Sequence, residues 1–449
     1  MYNLNRKLEE LEVQGKSIKI AIIGAGHMGT GMVSQVVNMK GMIPSIVADI
    51  NVDLAKASFT KAGIAEDQIV IVEDEKAAEA AIQEGKYVAC KSFMVACKTP
   101  SIQAVVDATG SIPIGAEIAL NSILNKKHIV MLNAETDCVV GPILKKLADD
   151  AGVIFTGSAG DEPGAVMGLY DFATSMGFDV RVVGKGKNNK LDYDCNPDTV
   201  AEEAARRGAA PHMITSFKEG TKTMVEMALM CNATGFVPDV RGGHGIEANV
   251  KEVPQKYSLK EEGGVLNNYG VVDFVNGIAP GVFVVVTHKL KEVRDEMEYL
   301  SMGPGPNYIL YRPYHLCSLE TPLSAAMAVI EGKGTIVPKG GLVADVITVA
   351  KKDLKAGEYM DGYGAYTCYG LIEKYETAKE INAVPIGLVD RKTKVLKDIK
   401  KGEVITYDMV EIDKMVVDVS RKYIDICACK LDDKRVNLYY EDGVAFVRN

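Results

Sequence analysis

Several short segments of this sequence combine residues that do chemistry with glycines that let a ligand approach the backbone. Gly24-Ala-Gly26-His27-Met28-Gly29 stands between an apolar run ending at Ile23 and a stretch with helical periodicity. Gly24 permits a tight turn, Gly26 lets a pyrophosphate reach the main chain, and Gly29 lets helix and strand pack closely. The free N–H groups of a helix opening at His27 and Met28 would then face the phosphates. Asp49 lies 49 − 29 = 20 residues further on, at the end of a second apolar run. A carboxylate there accepts ribose hydroxyls and repels a 2′-phosphate, so the expected cofactor is NAD or NADP with NAD slightly favoured.

Three further segments close apolar runs and are expected to line the nicotinamide end of that cleft. They are Asp107-Ala-Thr109-Gly110, Asn133-Ala-Glu135-Thr-Asp137 and Gly160-Asp-Glu162-Pro-Gly164. Thr109, Gly110, Asn133 and Glu135 are assigned to the cofactor and Glu162 to the substrate.

Hydride transfer to a carbonyl needs a group that supplies a proton or steadies the growing alkoxide. Gly184-Lys-Gly-Lys187-Asn188-Asn189 reads as a loop after a strand at 179–183. It offers Lys187 as acid/base and Asn188 to the substrate. A helix is expected over Ser216–Thr234, with Glu219, Lys222 and Glu226 forming one polar stripe on an otherwise apolar surface. Lys222 is the alternative acid/base, Glu226 its partner, and Asn232 a neighbouring substrate contact. Tyr311-Arg312-Pro-Tyr-His315 supplies a guanidinium whose planar fork suits a carboxylate or phosphate. Its imidazole can orient substrate or carry a proton. His244, in a glycine-rich loop, is a weaker candidate. No His/Cys/carboxylate spacing announces a metal.

Alternating strand and helix signals run from Ser17 to Thr156, with strands near 17–23, 45–48, 68–72, 104–108, 128–132 and 152–156. That alternation specifies an α/β fold: a doubly wound, mostly parallel Rossmann sheet. A mixed α/β substrate domain is expected next, then a small β-rich module. The expected boundaries are 1–160, 161–335 and 336–449. In the last part Lys352-Asp-Leu-Lys-Ala-Gly-Glu358 recurs as Lys397-Asp-Ile-Lys-Lys-Gly-Glu403, an offset of 397 − 352 = 45 residues. Two copies of one unit suggest a pseudo-symmetric module.

Composition narrows the class. Acidic residues outnumber basic ones, 60 to 51, for a net charge of −9, a field that repels nucleic acid. No apolar run reaches the roughly 20 residues that cross a bilayer. The start lacks a signal core, so a cytoplasmic location is expected. The nine cysteines are scattered, as free thiols in a reducing compartment would be.

The Gly24–Gly29 turn, Asp107–Gly110 and Lys127–Asn133 followed by Glu135 resemble homoserine dehydrogenase-type oxidoreductases. Gly160–Gly164, Gly184–Asn189, Gly220-Thr-Lys-Thr-Met224 and Tyr311–His315 resemble one branch of that group. It carries a C-terminal SAF (β-clip) module and includes deoxyxylulose-phosphate reductoisomerase-like enzymes. The repeated Lys-Asp-x-Lys-x-Gly-Glu turns are similar to SAF modules. The acidic run of true homoserine dehydrogenases is absent. The resemblance implies an NAD(P)-dependent reductase of a small polar substrate, in some members a reductoisomerase. It also implies a homodimer or homotetramer pairing through the substrate-domain sheet. Two readings of another class are a dinucleotide sensor without turnover and a carbohydrate-binding C-terminal module.

Overall fold

Short β-branched runs, nearly all buried on both faces, build the first sheet. A computed structural model describes residues 3–411. Its strands are β1 (Ile18–Ile23), β2 (Met42–Ala48), β3 (Ile69–Val72), β4 (Tyr87–Cys90), β5 (Ala104–Asp107), β6 (His128–Met131) and β7 (Phe155–Gly157). All pair in parallel, in the order β3-β4-β2-β1-β5-β6-β7. This is the doubly wound Rossmann arrangement. Strand β4 had no counterpart in the sequence reading, because its four residues sit between a charged helix end and a polar turn. Two apolar clusters, one on each face, form the core. Ala325 and Ala326 of the helix Thr321–Glu331 belong to the second cluster. That helix therefore packs on the Rossmann sheet, although it follows the second sheet in sequence.

The second sheet has the order β12-β11-β8-β10-β9, with β8 (Asp179–Lys187), β9 (Ile246–Glu247), β10 (Val271–Asn276), β11 (Val282–Thr287) and β12 (Tyr308–Arg312). One of its faces is closed by the chain's own excursion through Val253, Tyr257 and Leu266. The fully buried Tyr257 ring stacks on Phe283, and its hydroxyl donates to Phe274 O at 2.6 Å.

Contacts divide the chain into two units. One comprises Met1–Lys190 with Val225–Ala344, and the other Leu191–Met224 with the stretch from Asp345 onward. In this division residues 191–224 group with the C-terminal part, and 161–190 and 225–344 with the Rossmann part.

In the second unit β13 (Ala344–Ala350) pairs with β14 (Cys368–Lys374), and β15 (Lys394–Val395) with β16 (Val410–Glu411). The two repeated turns bind each other reciprocally. Leu354 N donates to Ile399 O at 2.9 Å and Ile399 N to Leu354 O at 3.0 Å. Asp353 accepts from Lys401 N at 2.9 Å, and Asp398 accepts from Ala356 N at 3.0 Å. Each contact maps onto the other by the 45-residue offset, so the repeat is a pseudo-two-fold clasp. Residues 412–449 of the expected module, with Cys427 and Cys429, lie outside the described residues.

Four local expectations need correction. Strand β8 runs on to Lys187 instead of ending at Val183. Asn133–Asp137 is not a loop: Asn133 caps the helix Ala134–Ala151, which contains Pro142. Likewise Glu162 opens the helix Glu162–Ser175. The helix expected over Ser216–Thr234 is two helices, Pro211–Glu219 and Thr221–Thr234, broken at Gly220 with φ 93°. Only glycine takes that left-handed conformation at little cost.

Candidate active site

The cofactor turn is built as its glycines dictate. Gly24 sits at φ 100°, and a Cβ at Gly29 would lie 1.8 Å from Gly24 O, so neither position admits a side chain. A Cβ at Gly26 would meet nothing within 4 Å, which leaves space above the turn for a ligand. No side chain caps the helix His27–Val37 at Gly26, and His27 and Met28 are exposed at its start. Free N–H groups at an open helix start fit a dinucleotide pyrophosphate. Asp49 Oδ2 accepts from Ala25 N at 2.7 Å, which ties the end of β2 to the turn.

Asn133 is a brace. Its Nδ2 donates to Asp107 Oδ2 at 3.2 Å and to Ser111 O at 3.0 Å, and its Oδ1 accepts from Thr136 N at 3.2 Å. Thr109 donates from its backbone N and its hydroxyl to Asp107 Oδ1, at 2.9 and 2.7 Å. Burial pushes the Asp107 carboxyl up to about 6, against the pull of these donors. The network fixes the loops at the carboxyl ends of β5 and β6. Gly110 and Glu135 stand at its more open margin, where a ligand binds in such sheets.

A second cluster lies on β8. Alternation along the strand sends residues 182, 184 and 186 to the covered face and 183, 185 and 187 to the other. Cβ atoms at Gly184 and Gly186 would strike Phe283 and Ala279 at 2.4 and 2.6 Å. Lys185 and Lys187 therefore share the opposite face, both buried. Lys185 Nζ donates to Glu162 Oε1 at 2.8 Å and to Glu226 Oε2. His315 Nδ1 lies 2.8 Å from Pro280 O, so that nitrogen carries the proton, and Nε2 lies 3.5 Å from Glu162 Oε2. Burial alone would raise the Glu162 carboxyl, but Lys185 and then His315 outweigh it and hold it near 2. Burial likewise works against the Lys185 ammonium, and the two carboxylates overcome it, keeping the lysine charged.

The central lysine is thus Lys185, which the sequence analysis passed over for Lys187. The available signal was the Gly-Lys-Gly-Lys alternation: read as strand, it places both lysines on one face. Asp161, Glu162 and Glu226 each bring a ligand oxygen within 4.8 Å of the others. No sequence spacing announced that trio as a cation site, and the Lys185 ammonium bonds two of its members.

Other expected residues fall elsewhere. Asn188 is exposed just past β8. Arg312, the expected anion clamp, is paired with Glu320 and lies 4.4 Å over the Tyr314 ring. Its charge is thereby largely offset. Asn232 Oδ1 accepts from Val343 N and Ala344 N at 2.7 and 3.2 Å, so it holds backbone. The polar stripe does not form one wall. Glu219 pairs with Lys351 and accepts from Gly364 N at 2.9 Å in the second unit, whereas Glu226 pairs with Lys185 in the first. Lys222 is half-buried.

Comparison with known proteins gives two family matches. Residues 160–321 match the family model described as Oxidoreductase DRL, catalytic domain. That span contains Glu162, Lys185, Glu226 and His315. Residues 382–449 match the Spermine/spermidine synthase domain, which nothing in the sequence analysis anticipated. Both matched families are enzymes. A polyamine aminopropyltransferase from Clostridioides difficile (strain 630) is 80% identical over 41 residues, 9% of this chain and 14% of that protein. The one from Clostridium perfringens (strain SM101 / Type A) is 49% identical over 69 residues, 15% of this chain and 24% of that protein. The chain thus spans only a small part of these curated relatives. Among solved structures, a probable dehydrogenase from Thermotoga maritima is 14% identical, covers 72% of this chain and 91% of its own, and has a TM-score of 0.41. A scyllo-inositol dehydrogenase from Lactobacillus casei, with bound NAD(H) and scyllo-inositol, is 12% identical with coverages of 66% and 76% and a TM-score of 0.36.

Proposed function

We propose that this chain is an NAD(P)-dependent oxidoreductase moving a hydride to or from a small polar carbonyl or alcohol, in the manner of homoserine dehydrogenase-like enzymes. The observation that carries this reading is Lys185, fixed between Glu162 and Glu226 within the span that matches an oxidoreductase catalytic domain. The nicotinamide supplies the hydride chemistry when bound. Gly24, Gly26 and Gly29 admit its pyrophosphate, and Asp49 beside the turn favours NAD over NADP.

Lys185 gives two N–H bonds to Glu162 and Glu226, and its third N–H is the donor that steadies the substrate oxygen as it becomes an oxyanion. Held charged by two carboxylates, it serves as an electrostatic partner more readily than as a proton donor. His315 is the proton carrier. Its Nδ1–H is anchored on Pro280 O, which leaves Nε2 beside Glu162 to give or take a proton. Lys187 lies on the same face of β8, a second buried lysine beside the cluster.

The test is a ligand-stabilisation screen with NAD⁺ and NADP⁺ alone and with hydroxy acids, amino alcohols and sugar phosphates. Turnover is then followed by nicotinamide absorbance. A raised melting temperature with NAD⁺ is the expected result. No stabilisation by either dinucleotide overturns the reading. Dinucleotide binding without turnover of any substrate favours the sensor reading. The reductoisomerase alternative differs in requiring a skeletal rearrangement of a sugar phosphate before reduction, and the sugar-phosphate arm of the screen addresses it.

A further inference from the structure

Asp137, in the first turn of the helix Ala134–Ala151, belongs neither to the cofactor turn nor to the Lys185 cluster. It is 3% exposed, and its Oδ1 has no hydrogen-bond partner. A buried carboxyl in that state is costly when ionised. The chamber around it is shaped by two glycines. A Cβ at Gly141 would lie 2.0 Å from Oδ1, and one at Gly157 would lie 3.3 Å from Oδ2. The outer wall is supplied by a different part of the chain. Ile336 Cγ2 lies 2.7 Å, and Pro338 Cγ 3.7 Å, from the Cβ positions of Gly157 and Gly141 respectively.

These two residues belong to a segment, 335–344, that has no regular structure before its last residue and is tied down at both ends. At one end Thr335 N and Ile336 N donate to Thr156 Oγ1 at 2.8 and 3.2 Å, and Gly157 N donates to Ile336 O at 2.9 Å. At the other, Lys339 N donates to Asn232 O at 2.9 Å, and Val343 N and Ala344 N share Asn232 Oδ1. Lys339 Nζ also donates to Thr234 O at 2.9 Å. The segment thus runs from β7 of the cofactor sheet to the helix that carries Glu226, all within the first unit.

We propose that segment 335–344 is a strap whose closure is governed by the protonation of Asp137: it seats over the neutral acid and is loosened by the carboxylate. Burial alone pushes this carboxyl up to about 7 from its ordinary 3.8. Gly141 from its own helix, Gly157 from β7, and Ile336 and Pro338 from the strap surround it, and among the described residues no charged group adds to the effect of burial on it. With the strap open, Asp137 meets water and regains the ordinary value. The closed form therefore binds the proton more tightly. Its advantage is full below about pH 4, falls by up to tenfold per unit as pH rises, and levels off above about 7. Acid tightens the seam between the two sheets, and neutral pH frees it.

Hydrogen exchange of the full chain between pH 5 and 8, corrected for intrinsic exchange, tests this without reference to any substrate. Protection at the amides of Gly157, Thr335, Ile336, Val343 and Ala344 is compared with that of β11, which reports global opening. The expected result is a loss of up to tenfold per pH unit between 5 and 7 and a plateau beyond. In Asp137→Asn, neutral throughout, protection stays level. A level wild-type profile overturns the proposal, as does an Asp137→Asn profile that follows the wild type. Should that variant fail to fold, the wild-type profile alone decides.

Discussion

Replacing Lys185 by methionine keeps the unbranched side chain to within one atom of its length and deletes its charge. The structure makes the consequence calculable, because this ammonium is the counter-ion of both Glu162 and Glu226, and all three side chains are nearly removed from water. Removing one partner of a buried ion pair costs about 3–5 kcal/mol, since the other charge stays buried without compensation. At roughly 2 °C per kcal/mol for a unit of more than 200 residues, the melting temperature should fall by about 6–10 °C. Part of that loss should return in Lys185→Met/Glu226→Gln, where one orphaned carboxylate is also removed. A double-mutant cycle should give a coupling of about 1–3 kcal/mol. Dinucleotide affinity should not change, because the glycine turn lies on the other sheet. kcat should fall by about 10²–10³, the usual effect of losing one oxyanion partner. The assay pairs calorimetric melts of the four proteins with dinucleotide titration. A melting temperature within about 1 °C of wild type in Lys185→Met, or strict additivity in the cycle, refutes the electrostatic account of the cluster.

Two alanine substitutions in the glycine turn should part company. Gly29→Ala drives a Cβ into Gly24 O and should destabilise the fold, seen as a lower melting temperature, whereas Gly26→Ala meets no protein atom and should leave the melt intact while weakening dinucleotide binding at least about tenfold. Asp107 gives a pH signature. Its folded-state value of about 6 exceeds the ordinary 3.8, so the fold holds a proton that the unfolded chain releases, and stability should fall as pH rises from about 4 to about 6. Asp107→Asn should remove that slope, about 1.4 kcal/mol per unit, in denaturant titrations at several pH values.

How much of this was legible in one dimension varied with the range of the interaction. The Rossmann turn could be read because every requirement on it is local: a left-handed residue at 24, no Cβ at 29, open space at 26, and a carboxylate at the next strand end. The 45-residue repeat was likewise visible as residues, and its reciprocal clasp follows from them. Boundaries failed where local composition resembled a loop. Gly184–Lys187 is glycine-rich but is held as strand by β10 and β11 on either side.

Residue pattern alone therefore determined the sheet type, the glycine turn after β1 and the duplicated C-terminal unit, since those depend on backbone freedom and on side-chain periods of two or about 3.6 residues. Tertiary structure decided which lysine sits at the centre of the cluster, that Glu219 and Glu226 serve different ion pairs, that Arg312 is already matched by Glu320, and that Asp137 is buried beneath a segment nearly 200 residues away. Each of these is a pairing of charges or a loss of water imposed by chain segments distant in sequence. No periodicity encodes which segment will supply the partner.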